Sequence, residues 1–258
     1  MKKETRKVTD EEIKRIQLEM LDEIDAFCRQ HNIRYSLAFG TLLGAIRHKG
    51  YIPWDDDVDI IMPLPDMLRF KQEFRSDKLM YCDIDTVAHY EYHFSRIAYK
   101  PTYSKKGLIT KSYGISIDLY PVVGMTSEES DIQKFLQDLQ PLYHKRMKSI
   151  ELKNKLIKLL PIKTIWGFDS TIKHFYDSVI LRYPYESSTA FLHAGSVRRV
   201  NIFEYDVFES VTNVSFEGHT YMSVGDWDKY LRHCFDDYMQ LPPEDQRHPY
   251  HGFVYYWK

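Results

Sequence analysis

Apolar side chains recur at helical spacing near the start of the chain, at Ile13, Ile16, Met20, Ile24 and Phe27, which predicts an amphipathic helix running to about Gln30. Thr9 with Glu12 three residues on is a capping-box arrangement that begins it, and His31 and Asn32 end it. Ile33 to Phe39 then reads as a strand delivering Gly40-Thr41, followed by a short helix carrying Leu42, Leu43, Ala45 and Ile46. A second strand is predicted over Asp57 to Met62, where acids run directly into Ile60, Ile61 and Met62. Pro63, Leu64 and Pro65 break the backbone, and Asp66 is expected to cap a helix containing Met67, Leu68, Phe70 and Phe74.

From Met80 to Tyr120 the residues read as strands, rich in Tyr, Ile and Val and punctuated by Lys-Pro and Lys-Lys-Gly turn signals. Residues 127 to 183 change to a helical pattern interrupted at Pro141. Their second part sets Lys145, Arg146, Lys148, Lys153, Lys155, Lys158 and Lys163 among apolar residues. Such a basic amphipathic segment suits peripheral contact with an anionic membrane, or equally an ordinary helical insertion packed on its domain. Strands return at Asn201 to Phe208, at Val214 to Phe216 and at His219 to Val224, the last two framing a Glu217-Gly218 hairpin turn. Asp226 is placed to cap a helix from Trp227 to about Cys234.

Chemistry concentrates between Leu37 and Met62, LAFGTLLGAIRHKGYIPWDDDVDIIM. On a strand Asp57 and Asp59 share one face, and two such carboxylates repel by roughly 3 kcal/mol at ~5 Å with an effective dielectric of about 20. A hard divalent cation, Mg²⁺ or Mn²⁺, relieves that repulsion and is characteristically shared with substrate phosphates. Gly40 allows close approach of a phosphate, Thr41 and the helix N-terminus offer donors to an anion, and Arg47, His48 and Lys49 supply charge partners. Tyr113 to Pro121, YGISIDLYP, places Asp118 as a lone acid in an apolar strand, a third carboxylate for phosphoryl transfer either as metal ligand or as base. Arg96 and Lys100, four apart, fit either a diphosphate or surface charges flanking a hairpin. His89 and His93 bracket Glu91 on a strand-like segment and do not form a helical zinc motif.

Composition narrows the field. With 258 residues the chain has room for one large domain or two small ones, and a net charge of −2 provides no global basic field for nucleic acid. Phosphate recognition must therefore be local. Cys28, Cys82 and Cys234 are widely separated with no Cys-x-x-Cys spacing, which argues against a disulfide framework and a thiolate zinc site and for a reducing compartment. The N-terminal stretch passes from charge straight into the amphipathic helix, so a cytoplasmic protein, at most touching the inner face of a membrane, is expected. Twenty tyrosines are present, and Trp54, Tyr51, Tyr113 and Tyr120 lie in or beside the motifs. Aromatic faces hold quaternary ammonium groups, although an aromatic core and a sugar cleft share this signature.

The order strand, Gly-Thr, helix, Asp-Val-Asp-Ile is similar to the nucleotidyltransferase (polymerase β-like) superfamily pattern. FGTLLGAIRHKGYIPWDDDVDIIMP more closely resembles the signature of the LicD family, which includes phosphorylcholine transferases and is related to fukutin and the fukutin-related protein. YGISIDLYP and FDDYMQLPPEDQRHPYHGF extend the likeness, with Leu64 standing where the family commonly has Arg and Asp236 where it usually has Gly. The resemblance implies an α+β fold, a mixed sheet with flanking helices and a helical insertion. Residues 1–126 would form the catalytic core, 127–190 the basic insertion, and 191–258 a segment completing the same domain. It implies a CDP-linked donor such as CDP-choline, a cell-surface or lipid-linked glycan acceptor, CMP as product, and Asp118 at the third acidic position beside Asp57 and Asp59. A cytidylyltransferase that makes the CDP compound, or a non-catalytic nucleotide- or glycan-binding module, are the alternatives.

Overall fold

A computed structural model describes residues 6–87, 90, 92, 94–106, 110–138, 141, 144, 148, 173, 177, 181–193, 201–248 and 254–258. The first helix, α1 (Asp10–His31), begins as its capping box predicts. The Thr9 hydroxyl accepts from the Glu12 amide at 3.2 Å, and the Glu12 carboxylate accepts from the Thr9 amide at 3.0 Å. It closes on Asn32 in a left-handed conformation (φ 51°). Ile16, Met20, Leu21, Ile24 and Cys28 form its buried face, which packs on the sheet.

After α1 come β1 (Ser36–Leu37), α2 (Phe39–Arg47), β2 (Asp59–Pro63), α3 (Leu64–Glu73), β3 (Leu79–Cys82), β4 (Ser95–Tyr99), β5 (Thr102–Lys106), β6 (Thr110–Ser112) and β7 (Ser116–Met125). The chain continues through β8 (Ala190–His193), β9 (Asn201–Phe203), β10 (Val211–Phe216), β11 (His219–Val224), α4 (Trp227–Phe235) and β12 (Tyr255–Trp257). The main sheet runs β1-β2-β7-β4-β3, with β8 on the far half of β7 and β9 beyond it. β2 and β7 are parallel, whereas β1, β4 and β8 join their neighbours antiparallel. This is the mixed sheet with flanking helices that the nucleotidyltransferase resemblance implies. β7 is its spine: Ile117, Leu119, Val122 and Val123 are fully buried. A parallel pair enclosed by antiparallel partners needs such an apolar strand, because both its faces and both its edges are covered.

Several boundaries differ from the sequence reading for local reasons. The strand expected over Ile33–Phe39 pairs only at Ser36 and Leu37, and α2 already starts at Phe39, so Gly40 lies in its first turn. α3 starts after Pro63 with no side-chain cap hydrogen bond, Pro65 stands in its first turn where its fixed φ suits a helix start, and Asp66 lies inside that turn, buried, with its carboxylate accepting from Arg34 Nε at 2.8 Å. β2 starts at Asp59, with Asp57 on the segment leading into it. The strand expected to Phe208 ends at Phe203, where Asp206 instead accepts from the Phe208 amide and the Tyr185 hydroxyl. Asp236, where the family usually has Gly, keeps a glycine-like backbone with φ 56°. In the predicted insertion, residues 129–138 are helical. His89, His93 and, apart from Lys148, the basic run at 145–163 lie outside the described residues. Among the described residues no helix is long and apolar enough to cross a membrane.

Two glycines fix the loop between α2 and β2. A Cβ on Gly44 would stand 2.4 Å from the Gly50 carbonyl oxygen, and one on Gly50 would meet the Glu217 carboxylate at 2.1 Å. Glu217 leads the β10–β11 hairpin turn with positive φ (50°), followed by Gly218 at 80°, as two-residue hairpins require. Its carboxylate accepts from the Tyr51 amide at 2.9 Å and its own amide donates to the Lys49 carbonyl at 2.9 Å. Gly44→Ala therefore forces backbone against backbone, and a loss of about 1–3 kcal/mol is expected in urea unfolding, with a melting point several degrees lower.

Candidate active site

The register of three strands assembles the acids. Asp59 on β2 sits opposite Asp118 on β7, and Asp118 sits opposite Arg96 on β4, so the three residues form one row across the sheet. Asp57 lies two residues before Asp59, on the segment that leads into β2 and not on the strand itself, and its charge acts on Asp59. Thr41 and Gly40 anchor α2 to the row. The Thr41 hydroxyl accepts from the Asp59 amide at 2.9 Å, and the space left by the absent Gly40 side chain is filled by the Asp55 carboxylate, 2.5 Å from where a Cβ would stand.

Burial makes this row electrostatically costly. Asp59 and Asp118 are 8% and 7% exposed, and Asp59 Oδ1 is buried with no hydrogen-bond partner. The Asp57 carboxyl is pushed up to about 8, first by desolvation, then by the charges of Asp55 and Asp118 and by a hydrogen bond with Asp55. Asp59 is driven well above the usual carboxylate range by burial, then by Asp57, Asp118 and Asp55, with Arg96 opposing. Arg96 is the internal counter-charge. Its Nε lies 2.7 Å from Asp118 Oδ1 and its Nη2 donates to Oδ2 at 2.9 Å, a two-pronged pair. Burial works against its charge, yet the Asp118 carboxylate outweighs this and its pKa rises. One guanidinium facing several acids leaves an excess of negative charge around a buried, unpartnered oxygen. The residues fit a hard divalent cation, with Asp57 and Asp59 as the natural ligands and Asp118 beside them. Carboxylate oxygens of Asp55, Asp56 and Asp57 also converge within 4.8 Å of one another.

The structure divides the predicted site residues into groups. Gly40, Thr41, Asp57, Asp59, Asp118 and Arg96 come together. Arg47, His48 and Trp54 belong to a neighbouring cluster built with the C-terminal segment: Arg47 Nη1 donates to the carbonyls of Tyr238 (2.6 Å) and Gln240 (3.3 Å), and Arg247 lies over the Trp54 ring at 5.5 Å. His48 meets Trp54 edge-on at 6.2 Å, and its pKa is lowered by burial and then by Arg47. Lys49, with φ 63°, contributes its carbonyl to Glu217. Lys100 stands apart. It follows the end of β4, four residues beyond Arg96 or about 13 Å at strand rise, and its Nζ donates to the Ser76 carbonyl at 2.7 Å. Arg96 and Lys100 thus do not form a joint diphosphate clamp, because the first faces Asp118 and the second the far end of the strand.

Several contributors escaped the sequence reading. Asp55 looked like one more acid in a run; its position became meaningful only through Gly40. The aromatic boundary is also different. Tyr51 is buried against Phe216 and has Lys14 over its ring, and Trp54 is taken by Arg247. The rings that border the acids are Tyr120, two residues beyond Asp118, with Phe39 and Phe94 packed on it. The Tyr120 hydroxyl is raised well above its ordinary range by burial and then by Asp59, Asp118 and Asp57.

A Gly-containing helix start, paired strand carboxylates and a third acid on the adjacent parallel strand define a nucleotidyltransferase-like domain. Residues 32–158 match the family model described as LicD/FKTN/FKRP, nucleotidyltransferase domain. The chain is similar to the lipopolysaccharide cholinephosphotransferase LicD of Haemophilus influenzae, at 28% identity over 95% of this chain and 97% of that protein. Shorter likenesses reach an uncharacterized protein of Rickettsia typhi, 41% identical over 21% of this chain and 18% of that one, and another of Rickettsia prowazekii, 32% identical over 25% and 28%.

The raised Asp57 and Asp59 pKa values set a pH dependence. A folded carboxyl titrating near 8 holds a proton that the unfolded chain gives up near 4, so stability falls as pH rises through that window. In chelator, unfolding free energy should decline between pH 5 and pH 8, and Asp57→Asn should flatten the decline relative to wild type. Arg47→Ala should free the segment at Tyr238–Gln240 and quicken amide hydrogen exchange there while leaving α1 protected.

Proposed function

We propose that this protein transfers a phospho-alcohol, phosphocholine in preference, from a CDP-linked donor to a hydroxyl of a cell-surface glycan, with release of CMP. The observation that carries the reading is the group Asp57, Asp59 and Asp118 with its buried, unpartnered Asp59 oxygen. The match of residues 32–158 to the LicD/FKTN/FKRP family model, and similarity over 95% of the chain to a lipopolysaccharide cholinephosphotransferase, support the transferred group and the acceptor class.

Asp57 and Asp59 would hold Mg²⁺ or Mn²⁺, which when bound neutralises charge on the donor diphosphate. Thr41 fixes the Asp59 backbone so that the carboxylates keep their spacing. Arg96 holds Asp118 by two contacts and orients it toward the acceptor hydroxyl, which Asp118 aligns and relieves of its proton as the oxygen attacks phosphorus. The new O–P bond forms in line with the breaking bond to the CMP oxygen, so atoms and charge balance with CMP as leaving group. The segment after α4, strapped by Arg47 and Arg247 beside Trp54, forms a wall next to the acids.

Incubation with CDP-choline, Mg²⁺ and a bacterial surface glycan should release CMP and label the glycan. Chelator should stop the reaction, and Asp57→Asn or Asp59→Asn should lower kcat by about 100-fold or more while the fold persists. Pyrophosphate release from CTP and phosphocholine, with no glycan labelling, would instead identify a cytidylyltransferase.

A further inference from the structure

Phe39 carries a cost that its packing alone does not explain. A bulky residue with φ 44° lies in the left-handed region and is strained, and such strain concentrates where a site needs a side chain held in one place. Here it begins α2 and brings the Phe39 ring edge-on to Tyr120, with centroids 5.6 Å apart at 87°. Tyr120 in turn packs on Phe94 at 4.3 Å and 42°. Tyr120 shares its strand face with Asp118, so this aromatic corner borders the carboxylate row. Phe39 and Tyr120 are each only partly buried.

We propose that the corner formed by Phe39, Tyr120 and Phe94 seats the trimethylammonium head of the donor and so selects which phospho-alcohol is transferred. This rests on the phosphocholine reading above and adds the residues that read the group. Ring faces attract a cation through their quadrupole. The same wall already accepts one cation: the Arg96 guanidinium lies 3.8 Å from the Tyr92 centroid and 5.5 Å from that of Phe94. A quaternary ammonium has no N–H to satisfy and desolvates onto aromatic faces without loss of hydrogen bonds. A primary ammonium or a polyol keeps donors that ring faces leave unmet. In phosphocholine the cationic nitrogen is separated from phosphorus by two carbons and the ester oxygen, so a head on these rings keeps the phosphorus at the acids.

The test is calorimetric titration of the full-length protein in Mg²⁺ with CDP-choline, its uncharged 3,3-dimethylbutyl analogue, CDP-ethanolamine and CMP. Wild type should bind CDP-choline roughly 5- to 30-fold more tightly than the uncharged analogue. Phe39→Leu and Tyr120→Leu should lose that preference while binding CMP as wild type does, which also reports that they are folded, and ring-retaining Phe39→Tyr should keep it. A preference that persists in both leucine variants overturns the proposal, as does its absence from wild type that binds the other CDP-alcohols, and either result leaves the transferase reading standing. Failure of folded wild type to bind any CDP compound overturns that reading and the proposal together.

Discussion

The parallel pairing of β2 with β7 is the constraint on which the rest depends. It puts Asp59 beside Asp118 in a buried row, where two carboxylates repel by roughly 3 kcal/mol at an effective dielectric of about 20. Everything nearby manages that repulsion. Arg96 answers Asp118 from the other side of β7, Thr41 ties Asp59 to α2, and Gly40 withdraws its side chain to admit the Asp55 carboxylate. One oxygen of Asp59 is left without a partner, and that residual demand is the chemical signature of the site.

The surrounding fold holds this row rigid. β7 is apolar on its other face, and α1 and α3 cover the sheet, so a slip of one residue in either strand would carry the acids into the core. Glu217 pins the loop that precedes the acids by bonding to Lys49 and Tyr51, and Gly50 leaves the room it needs. Arg47 binds the segment after α4 to the same loop. Arg47 and Tyr238, 191 residues apart in the chain, thereby become neighbours.

Much of this was readable in order along the chain because the signals are local. The Thr9 capping box, the alternating faces that bring Asp118 and Tyr120 together, and the Glu217-Gly218 turn each depend on residues within a few positions. What escaped was decided at a distance. Arg96 looked like a surface charge or a phosphate contact until antiparallel register set it against Asp118, and Lys100 shared its periodicity yet lies just past the other end of the strand. Arg47 resembled a phosphate ligand, whereas its partners are carbonyls some 190 residues later. Asp66 has the composition of a helix cap, but α3 starts two residues earlier, after Pro63, and Arg34 claims the carboxylate. Gly40 reads as room for a phosphate to approach, whereas in the fold its missing side chain makes room for the Asp55 carboxylate.

Titrating Mn²⁺ into the metal-free protein, with free Mn²⁺ followed by electron paramagnetic resonance in the presence and absence of CMP, shows whether the buried carboxylate row holds a divalent cation. Saturable Mn²⁺ uptake, strengthened by CMP and lost in Asp59→Asn, is expected. Uptake unchanged in Asp59→Asn, or none in wild type with CMP present, would contradict that role.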